Sequence, residues 1–262
     1  MSPSFPTILS ETHSGVCILT LNRPEVYNAF NEQMKKDLND ALKDAEQNPD
    51  ARCIVIRGAG DKAFCSGQDL KEHAGSKRSL KESLEKSYNP MIRRIRTMEK
   101  PVIGMINGVA AGAGCSLALA CDMRIMSSKA KLIEVFIRIG LIPDSGSHWF
   151  LTQLVGMARA FEYAATGKDI SAEEAERAGL VNKVVPPEKL EEEVQALASR
   201  FAVAPTKAIG LVKRTLNKSL STDLDAILEY EACLQQIASE TDDHREGISA
   251  FLEKRPANFK GR

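Results

Sequence analysis

No stretch of this chain stays apolar over the roughly 20 residues that a membrane-spanning helix needs. The first residues, MSPSFPTILSETHSG, lack a basic segment leading into an apolar core, so no secretory signal is expected. Net charge is missing too, since 35 Lys and Arg balance 35 Asp and Glu. A general nucleic-acid binder needs a basic excess to neutralise phosphates, so nucleic acid is not an expected partner, and neither is a membrane. The six cysteines, Cys17, Cys53, Cys65, Cys115, Cys121 and Cys233, form no CxxC pair. The four histidines, His13, His73, His148 and His244, do not cluster in sequence. This spacing offers no metal-ligand set and predicts reduced, buried thiols in a cytoplasmic protein.

What is present is ordinary for a globular chain: 43% apolar and 27% charged residues over 262 positions. That length allows one large domain, or a core with a small appendage. Gly15–Asn22 (GVCILTLN) reads as a strand ending in a turn at Arg23-Pro24, and Arg52–Gly58 (RCIVIRG) as a second. Between them Met34, Leu38, Leu42 and Ala45 recur at helical spacing over about 31–47. A polar segment at 71–83 reads as a mobile lid, followed by helical spacing over about 84–98. Pro101–Ile106 (PVIGMI) is a third strand, Asp122–Met126 a fourth, and 131–136 a fifth extended stretch. A helix is expected over Ser116–Ala120 and another near His148. From Arg159 onward the chain reads as mostly helical, and residues beyond Pro187 offer no strand candidate. Strands alternating with helices, then a helical last third, predict an α/β architecture.

Two segments place small residues where a backbone must come close to something: Ala63-Phe64-Cys65-Ser66-Gly67-Gln68-Asp69-Leu70, and Gly108 to Ser116 at a helix start. A helix N-terminus has free N–H groups and a partial positive charge. Glycine and alanine there let a ligand reach those groups, and two such amides converging on a carbonyl oxygen stabilise an enolate. By composition alone the same segments also serve as tight turns. No GxGxxG and no GxxxxGK[ST] is present, so a nucleotide loop is not expected.

The pieces LNRPEVYNAF, AFCSGQDL, PVIGMINGVAAGAGCSLALACDMRI, GLIPDSGS and ATGKDISAEEAERAGLVNKVV follow one another in an order that resembles the crotonase superfamily, the enoyl-CoA hydratases and isomerases. The match runs over about residues 14–190. The resemblance implies a spiral of ββα units with two sheets in residues 1–190, which bind acyl-CoA. It implies a helical oligomerisation region in residues 191–262 that builds a homotrimer or a dimer of trimers. The substrate is expected to be an acyl-CoA thioester, with coenzyme A as part of the substrate and no tightly bound cofactor.

By match to the family motifs, the thioester oxygen is held by the amides of Gln68 and Ala113. Arg23, Lys62, Ala63, Phe64, Ser66, Asp69, Leu70, Gly112 and Phe136 are the implied CoA and substrate contacts. Lys254 and Phe259 are further ones, across a subunit boundary or within the chain. Hydratases of the family resemble one another in two glutamates that handle water. At those positions this chain has Ser116 and Phe136, which cannot do that work. Asp144 stands where isomerases of the family have aspartate, and one carboxylate suffices to abstract a proton and return it elsewhere. Phe136, Ile142 and Trp149 are expected to surround it and raise its pKa. Read as a turn alone, Pro143-Asp144-Ser145-Gly146 would make Asp144 a helix N-cap. Glu134, two residues before Phe136 in an extended segment, is a second carboxylate candidate, and Ser116 is a candidate for orienting substrate or water.

GAGCSLALACD with GLIPDSGS is most similar to the family's phenylacetate-pathway isomerases. Those rearrange a ring-epoxidised phenylacetyl-CoA to an oxepin thioester and shift cis-3 double bonds to trans-2. Isomerisation is therefore the expected activity. An enoyl-CoA hydratase with rearranged catalytic groups is the nearest alternative, and a non-catalytic acyl-CoA- or RNA-binding relative the alternative of another class.

Overall fold

Runs such as Val-Cys-Ile-Leu-Thr-Leu and Cys-Ile-Val-Ile carry too few polar residues to face water on either side, so they are driven into the middle of a sheet covered on both faces. The computed structural model describes residues 5–74 and 78–262. In it, β2 (Val16–Leu21), β3 (Cys53–Gly58), β5 (Val102–Ile106) and β7 (Met123–Ser127) lie side by side and parallel. The edges of this six-stranded sheet are β1 (Ile8–His13), antiparallel to β2, and β10 (Lys183–Val185). A second sheet of four short strands runs β4 (Ala63–Cys65), β6 (Val109–Ala111), β8 (Lys131–Ile133), β9 (Asp169–Ser171). β3, β5 and β7 are each followed, within a few residues, by a strand of the small sheet and then by helix. That repetition is the ββα spiral, and the α/β class expected from the sequence is the observed one.

The helices are α1 (Glu32–Gln47), α2 (Leu70–Ala74), α3 (Leu80–Ser83), α4 (Asn89–Thr97), α5 (Ala113–Ala120) and α6 (Ser147–Thr166, broken at Gly156). Then come α7 (Ala172–Arg177), α8 (Leu190–Ala202), α9 (Thr206–Ser219), α10 (Leu224–Ser239) and α11 (Asp242–Leu252). On one face of the large sheet, α1, α4 and α5 bury Leu19, Ile54 and Ile56 against Leu38, Leu42 and Ile95. Each such side chain contributes about 1.5–3 kcal/mol by leaving water. The other face is covered by α8, whose Leu190, Val194, Ala198 and Ala202 sit on Val16, Val55, Ile103 and Ile125. The division expected at 190/191 therefore falls at the first residues of a helix that belongs to the core packing. α9 is tied to the core by ions: Asp122 accepts Lys213 Nζ at 2.7 Å and Arg96 Nη1 at 3.1 Å. No described helix is long and apolar enough to cross a membrane.

Several elements differ from the sequence reading. β1 was not expected: it is an edge strand with one buried residue, Ile8, and carries no apolar run. β4, β6, β9 and β10 have three residues each, too few for a period to register. α5 starts at Ala113, three residues before its expected start, because Ala-Gly-Cys reads as loop yet every residue of the helix is buried. The fifth extended stretch ends at Ile133, and Val135–Ile139 is a tight helical turn. Five of the six thiols are buried as expected, but Cys233 is exposed on α10. The lid expected at 71–83 lies partly outside the described residues; the part that is described includes α3.

The LNRPEVYNAF segment is held by its second asparagine. Asn28 is fully buried with φ 56°, a left-handed conformation that Asn tolerates better than most residues. Its Oδ1 accepts the Arg23 N–H at 3.0 Å, and its Nδ2 donates to the carbonyls of Ala59 and Ala63 at 3.0 and 2.9 Å. Asn28→Ala removes three hydrogen bonds made by a buried side chain and is expected to cost about 2–3 kcal/mol. A urea titration reads this as a lowered midpoint at unchanged slope.

Candidate active site

The site begins with a glycine that no other residue can replace without movement. Gly67 has φ +92°, and a Cβ there would lie 2.7 Å from the Ala111 carbonyl oxygen and 3.4 Å from the Ala113 nitrogen. The loop after β4 therefore crosses the junction of β6 and α5 at backbone contact distance. Gly114 completes the approach, since a Cβ on it would come within 2.1 Å of the Cys65 oxygen. Small residues at these two places bring the amides of Gln68 and Ala113 to one wall.

The local hydrogen-bond pattern leaves both amides without a partner among the described residues. Phe30 N–H donates to Gly67 O at 2.7 Å and Asp69 N–H to Phe30 O at 2.9 Å. This parallel bridge uses the residues on either side of Gln68 and passes over its N–H. Ala113 is the first residue of α5, so its N–H has no partner within the helix. The Gln68 side chain is pinned: it accepts the Tyr88 hydroxyl at 2.6 Å and donates to Phe30 O at 3.0 Å. Burial keeps the Tyr88 hydroxyl well above the usual phenol range, so it remains a donor.

Gln68 and Ala113 line a cavity of about 240 Å³. Its walls are apolar, with Leu70, Leu80, Leu84, Val135, Phe136, Ile139 and Leu141, and Ser66, Gln68, Gly112 and Ala113 line it as well. Asp144 is the one carboxylate among the described residues that line it. Larger hollows of about 680 and 550 Å³ lie among α9, α10 and α11, but they are more open to solvent. Chemistry needs convergent groups in an enclosed space, and the smaller cavity supplies them.

Asp144 sits in a tight turn between Gly140 and α6, with left-handed backbone at Gly140, Ser145 and Gly146. Its carboxylate does not cap α6: the cap residue is Gly146, and it is the Asp144 carbonyl that accepts the Ser147 N–H at 3.0 Å. Ser145 Oγ donates to Oδ1 at 2.8 Å. Removal from water raises the carboxyl above the ordinary aspartate value, with the Ser145 hydrogen bond and the His148 charge pulling the other way. Of the expected trio, Phe136 lines the cavity with Asp144, together with Leu141 and Ile139. Ile142 and Trp149 are 73% and 42% exposed and point elsewhere, because the turn at 140 reverses the chain.

Ser116 and Glu134 lie behind this wall. Both are 0% exposed, and neither lines the cavity. The expected shared side for Glu134 and Phe136 fails because the strand stops at Ile133, so the alternation that would align them is lost. Ser116 Oγ lies 2.8 Å from Ser147 Oγ and within 3.1 Å of the Asp144 carbonyl. Ser147 Oγ donates to Glu134 Oε1 at 3.1 Å. Desolvation pushes the Glu134 carboxyl up to about 7; the Cys115 and Ser147 hydrogen bonds lower it, and the Asp144 charge raises it.

The remaining expected contacts divide. Arg23 is engaged within the chain, donating to Ala29 O at 2.7 Å and pairing with Asp69 at 3.1 Å, so both side chains brace the loop that carries Gln68. Ala63 and Phe64 are core residues whose side chains never reach the cavity. Lys62 is exposed. Lys254 is exposed, and Phe259 lines the hollow near α11 rather than the Asp144 cavity. Sequence reading missed Tyr88, Leu84, Val135 and Ile139. A signal for the first two exists in Pro90, which has no N–H to give the preceding turn. The helix widens over Leu84–Tyr88, where Asn89 N–H reaches back to Leu84 O, and this turns Tyr88 and Leu84 toward the cavity.

The chain is similar to known proteins over nearly its whole length. Residues 11–262 match the family model described as enoyl-CoA hydratase/isomerase. A 1,2-epoxyphenylacetyl-CoA isomerase of Escherichia coli K12 is 43% identical over 97% of this chain and 98% of its own. A Rhodobacter capsulatus protein named "probable enoyl-CoA hydratase" is 44% identical over 99% of this chain and 100% of its own. The crystal structure of an enoyl-CoA hydratase from Bacillus anthracis superposes with a TM-score of 0.93 at 33% identity, covering 98% of this chain and 100% of that one.

Proposed function

Given that the chain belongs to the enoyl-CoA hydratase/isomerase family, we propose that it is an acyl-CoA isomerase in which Asp144 carries the proton. The observation that supports this reading is the company Asp144 keeps: one carboxylate, two free amides and apolar walls in a single cavity. The thioester oxygen accepts the N–H groups of Gln68 and Ala113. Charge that develops on that oxygen when a neighbouring C–H is broken is stabilised in a dry site. Asp144 takes the proton and returns it at another carbon, which moves the double bond. A hydratase must also activate water, and the positions that do so in hydratases hold Ser116, sealed behind the wall, and Phe136.

The same machinery serves a ring-epoxide thioester such as the one in the name of the Escherichia coli relative. The phenyl-sized acyl group would lie among Leu80, Leu84, Phe136 and Ile139, with CoA leaving past Ser66 and the exposed Lys62. Exposed apolar residues on α9–α11, among them Leu224, Phe251 and Leu252, support self-association as a homotrimer or a dimer of trimers. A neighbouring copy would then bring Lys254 and Phe259 to the CoA.

Relatives carry both isomerase and hydratase names, so the test must separate the two. In deuterated water the protein should shift a cis-3-enoyl-CoA to the conjugated trans-2 isomer with deuterium incorporated at the α or γ carbon. Crotonyl-CoA should keep its conjugated absorbance. Rapid loss of that absorbance in a variant lacking the Asp144 carboxylate would overturn the reading.

A further inference from the structure

Behind the cavity wall runs a chain of polar atoms that the proton transfer does not use. It starts at Glu134, fully buried, whose Oε1 meets Ser147 Oγ at 3.1 Å and whose Oε2 has no hydrogen-bond partner among the described residues. Ser147 meets Ser116 at 2.8 Å. Ser116 ends the chain at two carbonyls, Asp144 O at 3.1 Å and Gly112 O at 3.2 Å. The first belongs to the residue carrying the proton, and the second to the peptide whose N–H is that of Ala113. We propose that Glu134 is a positioning residue, which through Ser147 and Ser116 holds the Asp144 turn and the Gly112–Ala113 peptide in register with each other. The proposal rests on the reading of Asp144 and the Ala113 amide given above.

Proton counting makes Glu134 the deciding member. Each serine hydroxyl has one hydrogen to give. When the Glu134 carboxyl carries its proton on Oε1, the oxygen that meets Ser147, it donates to Ser147, Ser147 donates to Ser116, and Ser116 donates to a carbonyl. The run is then unbroken. When Glu134 is ionised, Ser147 must donate to it instead. Ser116 then either turns its hydrogen back to Ser147 and abandons the carbonyls, or faces Ser147 lone pair to lone pair at 2.8 Å. Ionisation therefore loosens one catalytic element or the other. The neutral form is favoured by desolvation, which places the transition at about 7. The groups facing Glu134 are the Cys115 thiol from α5, Ser147 from α6 and the Asp144 charge from the turn, with Arg124 acting on Cys115.

The test measures kcat and KM for the cis-3 to trans-2 shift against pH, in wild type, Glu134→Gln, Ser147→Ala and Asp144→Asn. Glutamine donates to Ser147 as the protonated acid does and cannot ionise. Wild-type kcat should fall as pH rises through about 7. Glu134→Gln should remain within about threefold of wild type below that pH and lack the fall. Ser147→Ala cuts the chain without altering the carboxyl and should lower kcat about tenfold with KM nearly unchanged. A merely structural role would move the melting temperature and leave the pH profile in place. The proposal is overturned if Glu134→Gln keeps the wild-type alkaline fall, or if Ser147→Ala keeps full kcat. An active Asp144→Asn enzyme would instead remove the underlying reading, and this proposal with it.

Discussion

Asp144→Asn should lower kcat for the double-bond shift by about a thousandfold, within the usual span for loss of a general acid–base group. KM should change little, because the cavity walls and the two amides that bind the thioester remain. The carboxylate must be ionised to accept the first proton, so activity should fall as pH drops through the Asp144 pKa. That fall should come above the ordinary aspartate value, since burial raises the group. The linked effect on folding has the opposite sign. A carboxyl raised in the folded state favours its neutral form there, so its stabilisation is present at low pH and is lost as pH rises through the folded pKa. At neutral pH wild type therefore bears the desolvation of a charge that asparagine does not have. The variant should be nearly inactive yet at least as stable to heat, the pattern expected where a site trades stability for chemistry. Undiminished activity in a folded variant would remove Asp144 from the mechanism.

Gly67→Ala should be the second severe lesion, by a different route. The added methyl meets a φ of +92° and a backbone oxygen 2.7 Å away, and a backbone oxygen cannot step aside as a flexible side chain could. The loop must rotate, and with it the Gln68 N–H and the Phe30–Gly67 hydrogen bond. Losing one preorganised donor to a developing oxyanion costs about 10²–10³ in kcat. Strain and the displaced pairing together should cost about 2–3 kcal/mol of stability, a fall in melting temperature of roughly 5–10 °C at this size. Gly140→Ala is the matched control. It also requires a left-handed backbone, at φ +74°, but a Cβ there meets nothing within 4 Å. It should lose about 1 kcal/mol and keep most of its activity. Equal activity losses at the two positions would mean that the close approach to Ala111 and Ala113 is not what Gly67 provides.

Asp144 could be picked out from the sequence because it is a carboxylate at a motif position where the other two acids are missing. Gln68 and Ala113 could be picked out for the same kind of reason, a match of order and spacing. Glu134 was visible only as a carboxylate near the site, and the strand alternation invoked for it fails because β8 ends one residue earlier. Arg23 and Asp69 resemble ligand contacts in sequence, but their pairing with each other shows only when the two loops meet. Tyr88 had a legible cause in Pro90, but a proline says where a helix is disturbed and not which side chain the disturbance turns inward.

The sequence by itself determined the α/β class, the covered parallel strands and the chemical types at the motif positions. Those depend on composition, period and order, which act locally along a chain. The tertiary structure alone decided that Gln68 and Ala113, from two distant segments, line one cavity, that Ser116 and Glu134 fall behind its wall, and that Ile142 and Trp149 turn away. The reason is that burial and convergence arise from which segments pack together, and a single left-handed residue or a strand three residues shorter redirects the side chains that follow.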